Sequence, residues 1–323
     1  MVAVTAHPLP LEDTEPVAIP VSVVICCYSS ARRQMLGEAV SAVLRQLGSD
    51  DELILVVDGN EVLQRDLQDA YGASVTLLPN RFRRGLAGAR NTGLQAASGE
   101  VVVFLDDDAV LHPDALGDAR SAFTDSTVTA LGGAVHPSWH AGRRPAWFPP
   151  EFGWVVGCDY RGLPPDGAAI RNPIGAAMAV RRSELAGIGG FCDELGRVGS
   201  LPAGCEETMM GIELARRDPG ARIIRRTGFA VSHAVPADRT TLSYFASRCF
   251  HEGRSKATLA RLCGSGPALR SERAYTTRTL PSGMWRARRY PARVVALAFG
   301  LLSTTAGYLT GLAIAMLRRQ GAR

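Results

Sequence analysis

Short, nearly unbroken apolar runs alternate with helix-period segments through the first 136 residues. Val21–Cys27, Glu52–Val57, Ser74–Leu78 and Val101–Leu105 predict strands, while Arg32–Leu47, Val62–Tyr71 and Leu86–Ala97 predict the helices between them. Strands separated by helices predict a parallel sheet covered on both faces, which is why the strands read as continuous apolar runs rather than alternating ones. Ligands of such sheets sit at the carboxyl ends of the strands, so the residues after Cys27, Val57 and Leu105 carry the most weight. The pattern then loosens. Residues 137–173 are proline-rich and hold Trp139, Trp147 and Trp154, a composition that predicts a loop-built binding wall rather than core. Gly175–Arg181 predicts another strand, Gly189-Gly190-Phe191 a turn, Glu206–Arg216 a helix and Thr240–Cys263 a longer helix. No internal repeat is visible.

The far end of the chain has a different texture. Val294–Leu317 is a 24-residue stretch without charge, preceded by Arg286, Arg288, Arg289 and Arg293 and followed by Arg318, Arg319 and Arg323. As a helix it would measure ~36 Å against a hydrocarbon core of ~30 Å, which predicts a membrane span. Ser303, Thr304, Thr305 and Thr310 dilute it, and a buried or interfacial helix is the alternative. Gly307-x-x-x-Gly311 offers a small-residue face to another helix. Residues 1–20 carry Glu12, Asp13 and Glu15 and no Lys or Arg, unlike a secretory signal.

Composition narrows the class. At 323 residues, with 46% apolar and 21% charged side chains, the chain is an ordinary globular protein, neither disordered, collagen-like nor multi-span. Seven cysteines without a C-x-x-C pair predict a reducing compartment and no disulfide framework. The net charge of +5 divides unevenly: nine arginines and no acid follow Glu272, whereas the first 272 residues hold 27 basic and 31 acidic side chains. The body is therefore no nucleic-acid binder, and the positive charge belongs to the tail.

Candidate chemistry gathers at strand ends. Phe104-Leu105-Asp106-Asp107-Asp108 places three mutually repelling carboxylates after a buried strand, and a divalent cation such as Mg²⁺ or Mn²⁺ would compensate them; a solvated acidic turn is the plainer alternative. Asp58, in Leu55-Val56-Val57-Asp58-Gly59, suits a ligand role or a helix cap equally. The stretch from Asn80 to Gly93 puts small residues at a helix start with Arg90 one turn in, which suits a phosphate-bearing ligand.

Together these segments resemble the family 2 inverting glycosyltransferases of the GT-A fold. The likeness rests on the strand Val21–Cys27 with Tyr28, on Asp58, on Ala89-Arg90-Asn91-Thr92-Gly93 and on Asp106-Asp107-Asp108, in that order. It covers about residues 20–235. It implies an α/β fold with a mostly parallel sheet flanked by helices, plus C-terminal helices. It also implies a division into an N-terminal extension (1–19), a GT-A catalytic domain (20–235), a helical extension with a basic linker (236–293) and a transmembrane or membrane-associated helix (294–317).

Carried over by position, the resemblance places Cys27, Tyr28, Asp58 and Arg90 at the nucleotide, Asp106 at the ribose, Asp107 in the same nucleotide-sugar segment and Asp108 on the metal. His233, after a predicted strand, would stand near the metal. Glu206 and Glu207 occupy the place of the family's Glu-Asp pair, with Glu207 as the general base; successive helix residues diverge, so only one of the two is expected to face the cleft. Met209 and Met210 depart from the family's usual Glu-Leu. Asn172 and Gly175, within Arg171–Ala176, would border the donor sugar and acceptor, and Arg248 and Lys256 could reach phosphates. Ser247-Arg248-Cys249-Phe250 lacks the Gln-x-x-Arg-Trp of processive synthases, which implies transfer of a single sugar. The implied partners are a nucleotide-sugar donor, a glycan or polyprenyl-linked acceptor, and a membrane reached through the tail, with the catalytic body on its cytoplasmic face and no nucleic acid. A nucleotidyltransferase, for which Ser29-Ser30-Ala31-Arg32-Arg33 would be a poor phosphate loop, and a non-catalytic membrane scaffold are the competing readings.

Overall fold

The apolar runs become the parallel half of one sheet. In a computed structural model, which describes residues 19–197 and 203–321, these strands are β1 (Val21–Cys27), β2 (Glu52–Val57), β3 (Thr76–Pro79) and β4 (Val101–Asp106). β1 pairs in parallel with β2 and β4, and β2 with β3. Alternation along β1 sends Val21, Val23 and Ile25 into one core layer, against Leu36, Ala39, Val40 and Val43 of α1 (Arg33–Leu44). Val24 points the other way, with Ile54, Val56 and Phe104, toward Ala87 and Ala89 at the start of α3 (Leu86–Ala96). Helix α2 (Glu61–Tyr71) packs Leu63 and Leu67 on the first layer.

The other half of the sheet turns strands around. β5 (Ala109–Leu111), β6 (Val128–Trp139), β7 (Ala177–Arg181) and β8 (Arg222–Val235) complete the order β3-β2-β1-β4-β7-β6-β8-β5. β7 runs antiparallel to β4 and to β6, β5 antiparallel to β8, and β6 parallel to β8. The α/β sheet is therefore mixed, with four of seven pairings parallel among the described residues. Helices α4 (Ala115–Phe123), α5 (Arg182–Gly187) and α6 (Glu206–Arg217) connect these strands.

Two expectations need correction. His233 lies within β8 rather than after a strand. Residues 137–173 are not merely a wall: β6 extends to Trp139, and Phe148, Phe152, Val155, Val156 and Cys158 are buried core. Their anchor is Phe245 of α7 (Leu242–Cys263), whose ring centroid lies 5.5 Å from Trp147, 5.6 Å from Phe148 and 5.2 Å from Phe152. Aromatics carry enough apolar area to make core from a proline-interrupted segment.

After α7, the short helices α8 (Ser265–Ala268), α9 (Arg270–Ala274) and α10 (Leu280–Arg286) lead to α11 (Pro291–Gly321). Helix α11 lies parallel to α7. Gly300 sits against Phe152 and Phe245, Gly307 against the Phe250 carbonyl, and Gly311 against Ala257, and a Cβ at any of the three would overlap its neighbour. The Gly307-x-x-x-Gly311 face is thus used within the chain. Pro291–Leu317 is long and apolar enough to cross a membrane, with mean hydropathy 1.5. The expected N-terminal extension lies outside the described residues except for Ile19.

Candidate active site

A cavity of about 710 Å³ lies where β1, β2 and β4 end. Of the residues singled out from sequence, Cys27, Tyr28, Asp58, Arg90, Asp106, Asp107, Asn172, Gly175, Glu206 and Glu207 all line it. Asp108 and His233 do not; both are buried beside it, at 3% and 1% exposure.

Asp58 is no helix cap. The cap of α2 is Asn60, whose side chain accepts from the Leu63 N–H. Asp58 instead ties down the loop before α3, accepting from Asn80 Nδ2 at 2.7 Å and from the Gly85 N–H at 2.9 Å. Cys27 is buried, with its thiol directed at the Val56 carbonyl, and Tyr28 carries the Arg32 guanidinium 5.7 Å over its ring.

Adjacent carboxylates at the end of β4 are compensated by a ring of cations. Arg32 donates to Asp107 Oδ1 at 2.7 Å and stands 3.3 Å from Asp108 Oδ2, with Arg239 3.5 Å from the same oxygen. His233 arrives because β8 pairs with β5, setting His233 opposite Ala109. Its Nε2 is 3.1 Å from Asp108 Oδ1 and 3.8 Å from Asp106 Oδ2, and its Nδ1 meets the Cys158 thiol at 3.5 Å. Burial would raise the Asp108 pKa, but His233, Arg239 and Arg32 outweigh it and hold the carboxyl far below its usual range. Burial would likewise lower His233, yet Asp108 pushes it up to about 10. Asp107 rises to about 6, chiefly through burial, and its Oδ2 has no hydrogen-bond partner among the described residues.

Two carboxylates and an imidazole, on Asp106, Asp108 and His233, bring one ligand atom each within 4.8 Å of one another. This set of oxygen and nitrogen donors suits a divalent cation.

Helix α6 opens from Cys205, whose φ of 81° lies in the left-handed region that non-glycine residues seldom adopt. This turn delivers Glu206 and Glu207 to a single guanidinium. Arg90 Nη1 is 3.0 Å from Glu207 Oε1 and 3.4 Å from Glu206 Oε1, while Nη2 donates to the Gly175 carbonyl at 3.2 Å. Arg90, expected at the nucleotide, commits these contacts to protein groups. Both glutamates line the cavity where only one was expected to, because first-turn side chains can converge on a cation set beyond the helix start. Their surroundings still differ. The Glu207 side chain keeps 16% exposure against 3% for Glu206. Burial, then the Glu207 charge, pushes Glu206 up to about 8, and its Oε2 has no partner among the described residues. Gly175 is glycine because a Cβ there would overlap Glu207 Oε1 and Arg90 Nη2. Asn172 braces the same segment, accepting from Arg171 and donating to the Pro173 carbonyl.

Arg248 and Lys256 also line the cavity, as rungs of a charge ladder: Arg248 to Glu252 at 2.7 Å, Lys256 to Glu252 at 3.4 Å, Lys256 to Glu272 at 2.7 Å, and Arg171 to Glu272 at 2.8 Å. Three cations face two anions. Spacing at i, i+4 and i+8 on α7 was the available signal for Glu252. Nothing local marks Arg32, Arg239 or Cys158.

The glycosyl transferase family 2 model matches residues 22–185. A glucosyl-dolichyl phosphate glucuronosyltransferase of Haloferax volcanii is 34% identical over 242 residues, 74% of this chain and 77% of that one. A UDP-Glc:alpha-D-GlcNAc-diphosphoundecaprenol beta-1,3-glucosyltransferase of Escherichia coli is 32% identical over 91 residues, covering 28% of this chain and 35% of its own. In structure, a mannosyltransferase of Pyrobaculum calidifontis, solved with GDP-Man and Mn²⁺, superposes with a TM-score of 0.59 at 19% identity over 90% of this chain and 86% of that one. The fold is that of the GT-A glycosyltransferases, and the chain belongs to glycosyl transferase family 2, as a hexosyltransferase-type enzyme.

Proposed function

We propose that the protein is an inverting, metal-dependent glycosyltransferase that moves one sugar from a nucleoside-diphosphate donor to a hydroxyl of a lipid-linked acceptor at a membrane. The observation that carries this is the meeting, around one cavity at the strand ends, of the Asp106–Asp108–His233 cluster and the Arg90-bound pair Glu206–Glu207. Lipid-phosphate and lipid-diphosphate substrates appear in the names of two relatives. The neighbouring mannosyltransferase contains Mn²⁺.

In this reading Tyr28, Cys27 and the loop fastened by Asp58 receive the base and ribose, with Asp106 and Asp107 beside them. Asp106, Asp108 and His233 would hold Mn²⁺ or Mg²⁺, which supplies positive charge to the departing diphosphate. Glu207, the more exposed acid, takes the acceptor hydroxyl's proton as that oxygen bonds to the anomeric carbon and the sugar–phosphate bond breaks. Arg90 positions Glu207, with Glu206, the more buried acid, held on the same guanidinium. Asn172 and Gly175 border the sugar, and the surplus cation of the Arg248–Lys256–Arg171 wall faces an acceptor phosphate. Residues 20–235 form the catalytic unit, 236–293 its helical extension, and 294–317 its membrane-associated helix, with the body on the cytoplasmic face, where nucleotide sugars are made.

A screen of UDP-, GDP- and dTDP-sugars by thermal shift tests the reading. A true donor should raise the Tm in the presence of Mn²⁺, and Asp108→Ala should abolish that rise. Full transfer in EDTA would refute metal dependence.

A further inference from the structure

The geometry points to α11 lying in the plane of an anionic lipid surface, its free face dipped into the membrane, rather than crossing the membrane. One side of the helix is already spent. From Gly300 to Gly311 it is locked along α7 by contacts too close for a Cβ, and Leu301 and Thr304 line the catalytic cavity. A perpendicular span would drag α7 into the hydrocarbon, with Arg254 and the Arg248–Glu252–Lys256 ladder on it. Charges at the centre of a membrane helix are costly and rare.

The other side is a single apolar stripe. Val295, Phe299, Leu302, Leu309 and Met316 follow one another at intervals of four, three, seven and seven, and each is between 42% and 67% exposed. That spacing keeps them on one helix face. A stripe of this kind seats itself about 5–10 Å into the headgroup–acyl boundary. Charge selects the occupant. Arg286, Arg288 and Arg289 are exposed just before the stripe, and no acid follows Glu272 to neutralise them. Trp285 and Tyr290, 66% and 55% exposed, stand among these arginines, with Arg288 4.3 Å over the Trp285 ring. Apolar stripe, interfacial aromatics and arginines together fit acidic headgroups. This deepens the membrane reading above: the turn that meets lipid also borders the cavity, so a lipid-borne acceptor reaches the site without leaving its leaflet.

The test uses the full-length protein and two readouts independent of turnover. The first is flotation with preformed vesicles of phosphatidylcholine, with and without phosphatidylglycerol. Binding should require phosphatidylglycerol, weaken at high salt, and fall at least tenfold in Leu302→Glu/Leu309→Glu, whose thermal unfolding should match the parent. Equal binding by that double variant would overturn the proposal, and a parent dimer that the variant dissolves would overturn it in favour of self-association. The second readout is protease access to N- and C-terminal epitope tags in sealed membrane vesicles. An in-plane helix leaves both tags on one side, so both are cut or both protected; tags on opposite sides would establish a span.

Discussion

Arg90 donates to Glu207 Oε1 at 3.0 Å across a sequence separation of 117 residues. The same Nη1 stands 3.4 Å from Glu206, so one buried cation orders both acids at the mouth of α6.

Glu207→Gln should retain donor and metal affinity while lowering turnover by about 10²-fold or more, the usual worth of a general base. Glu206→Gln should cost less. Steady-state kinetics and donor calorimetry on both variants decide it, and the reverse ranking would move the base to Glu206.

The Glu206 carboxyl gives a pH signature in stability. An unfolded Glu titrates at about 4.3, whereas the folded group sits at about 8 through burial and the Glu207 charge. The folded state holds the proton more tightly, so this group's contribution declines as pH rises between those values. Melting curves of Glu206→Gln should therefore show a stabilising increment that grows from pH 5 to pH 8 and levels off above. A pH-independent increment would contradict the assignment.

Metal affinity should climb with pH. Burial lowers His233, but Asp108 outweighs it and holds the imidazole protonated up to about 10, and a ligating nitrogen must lose that proton. Mn²⁺ titrations between pH 6 and 9 should tighten by about tenfold per unit. His233→Gln should bind more weakly and without that slope; an unchanged slope would exclude His233 as a ligand.

The seam between α7 and α11 should tolerate no side chain. Gly307→Leu would overlap the Phe250 carbonyl and should cost about 1–3 kcal/mol or more by denaturant unfolding. Leu302→Ala, on the exposed face, should stay within about 0.5 kcal/mol.

What the sequence settled by itself was whatever local pattern can encode. Val21–Cys27, Glu52–Val57 and Val101–Leu105 were legible as strands because burial on both faces leaves an unbroken apolar run. The acidic run Asp106–Asp108 was legible because carboxylates clustered at the end of a buried strand must be compensated by something, whereas the Glu206–Glu207 pair was legible only through its likeness to the family's Glu-Asp pair. The partners were not legible. His233 meets Asp108 only because β8 pairs with β5, and Arg32 and Arg239 reach the same carboxylates from segments with no ligand signature. The sequence presented α11 as an apolar helix with a small-residue face at Gly307 and Gly311, but not what that face meets. Only the parallel packing of Gly300, Gly307 and Gly311 on α7 divided it into a buried seam and a free face, because close approach of two helices depends on what stands opposite each glycine.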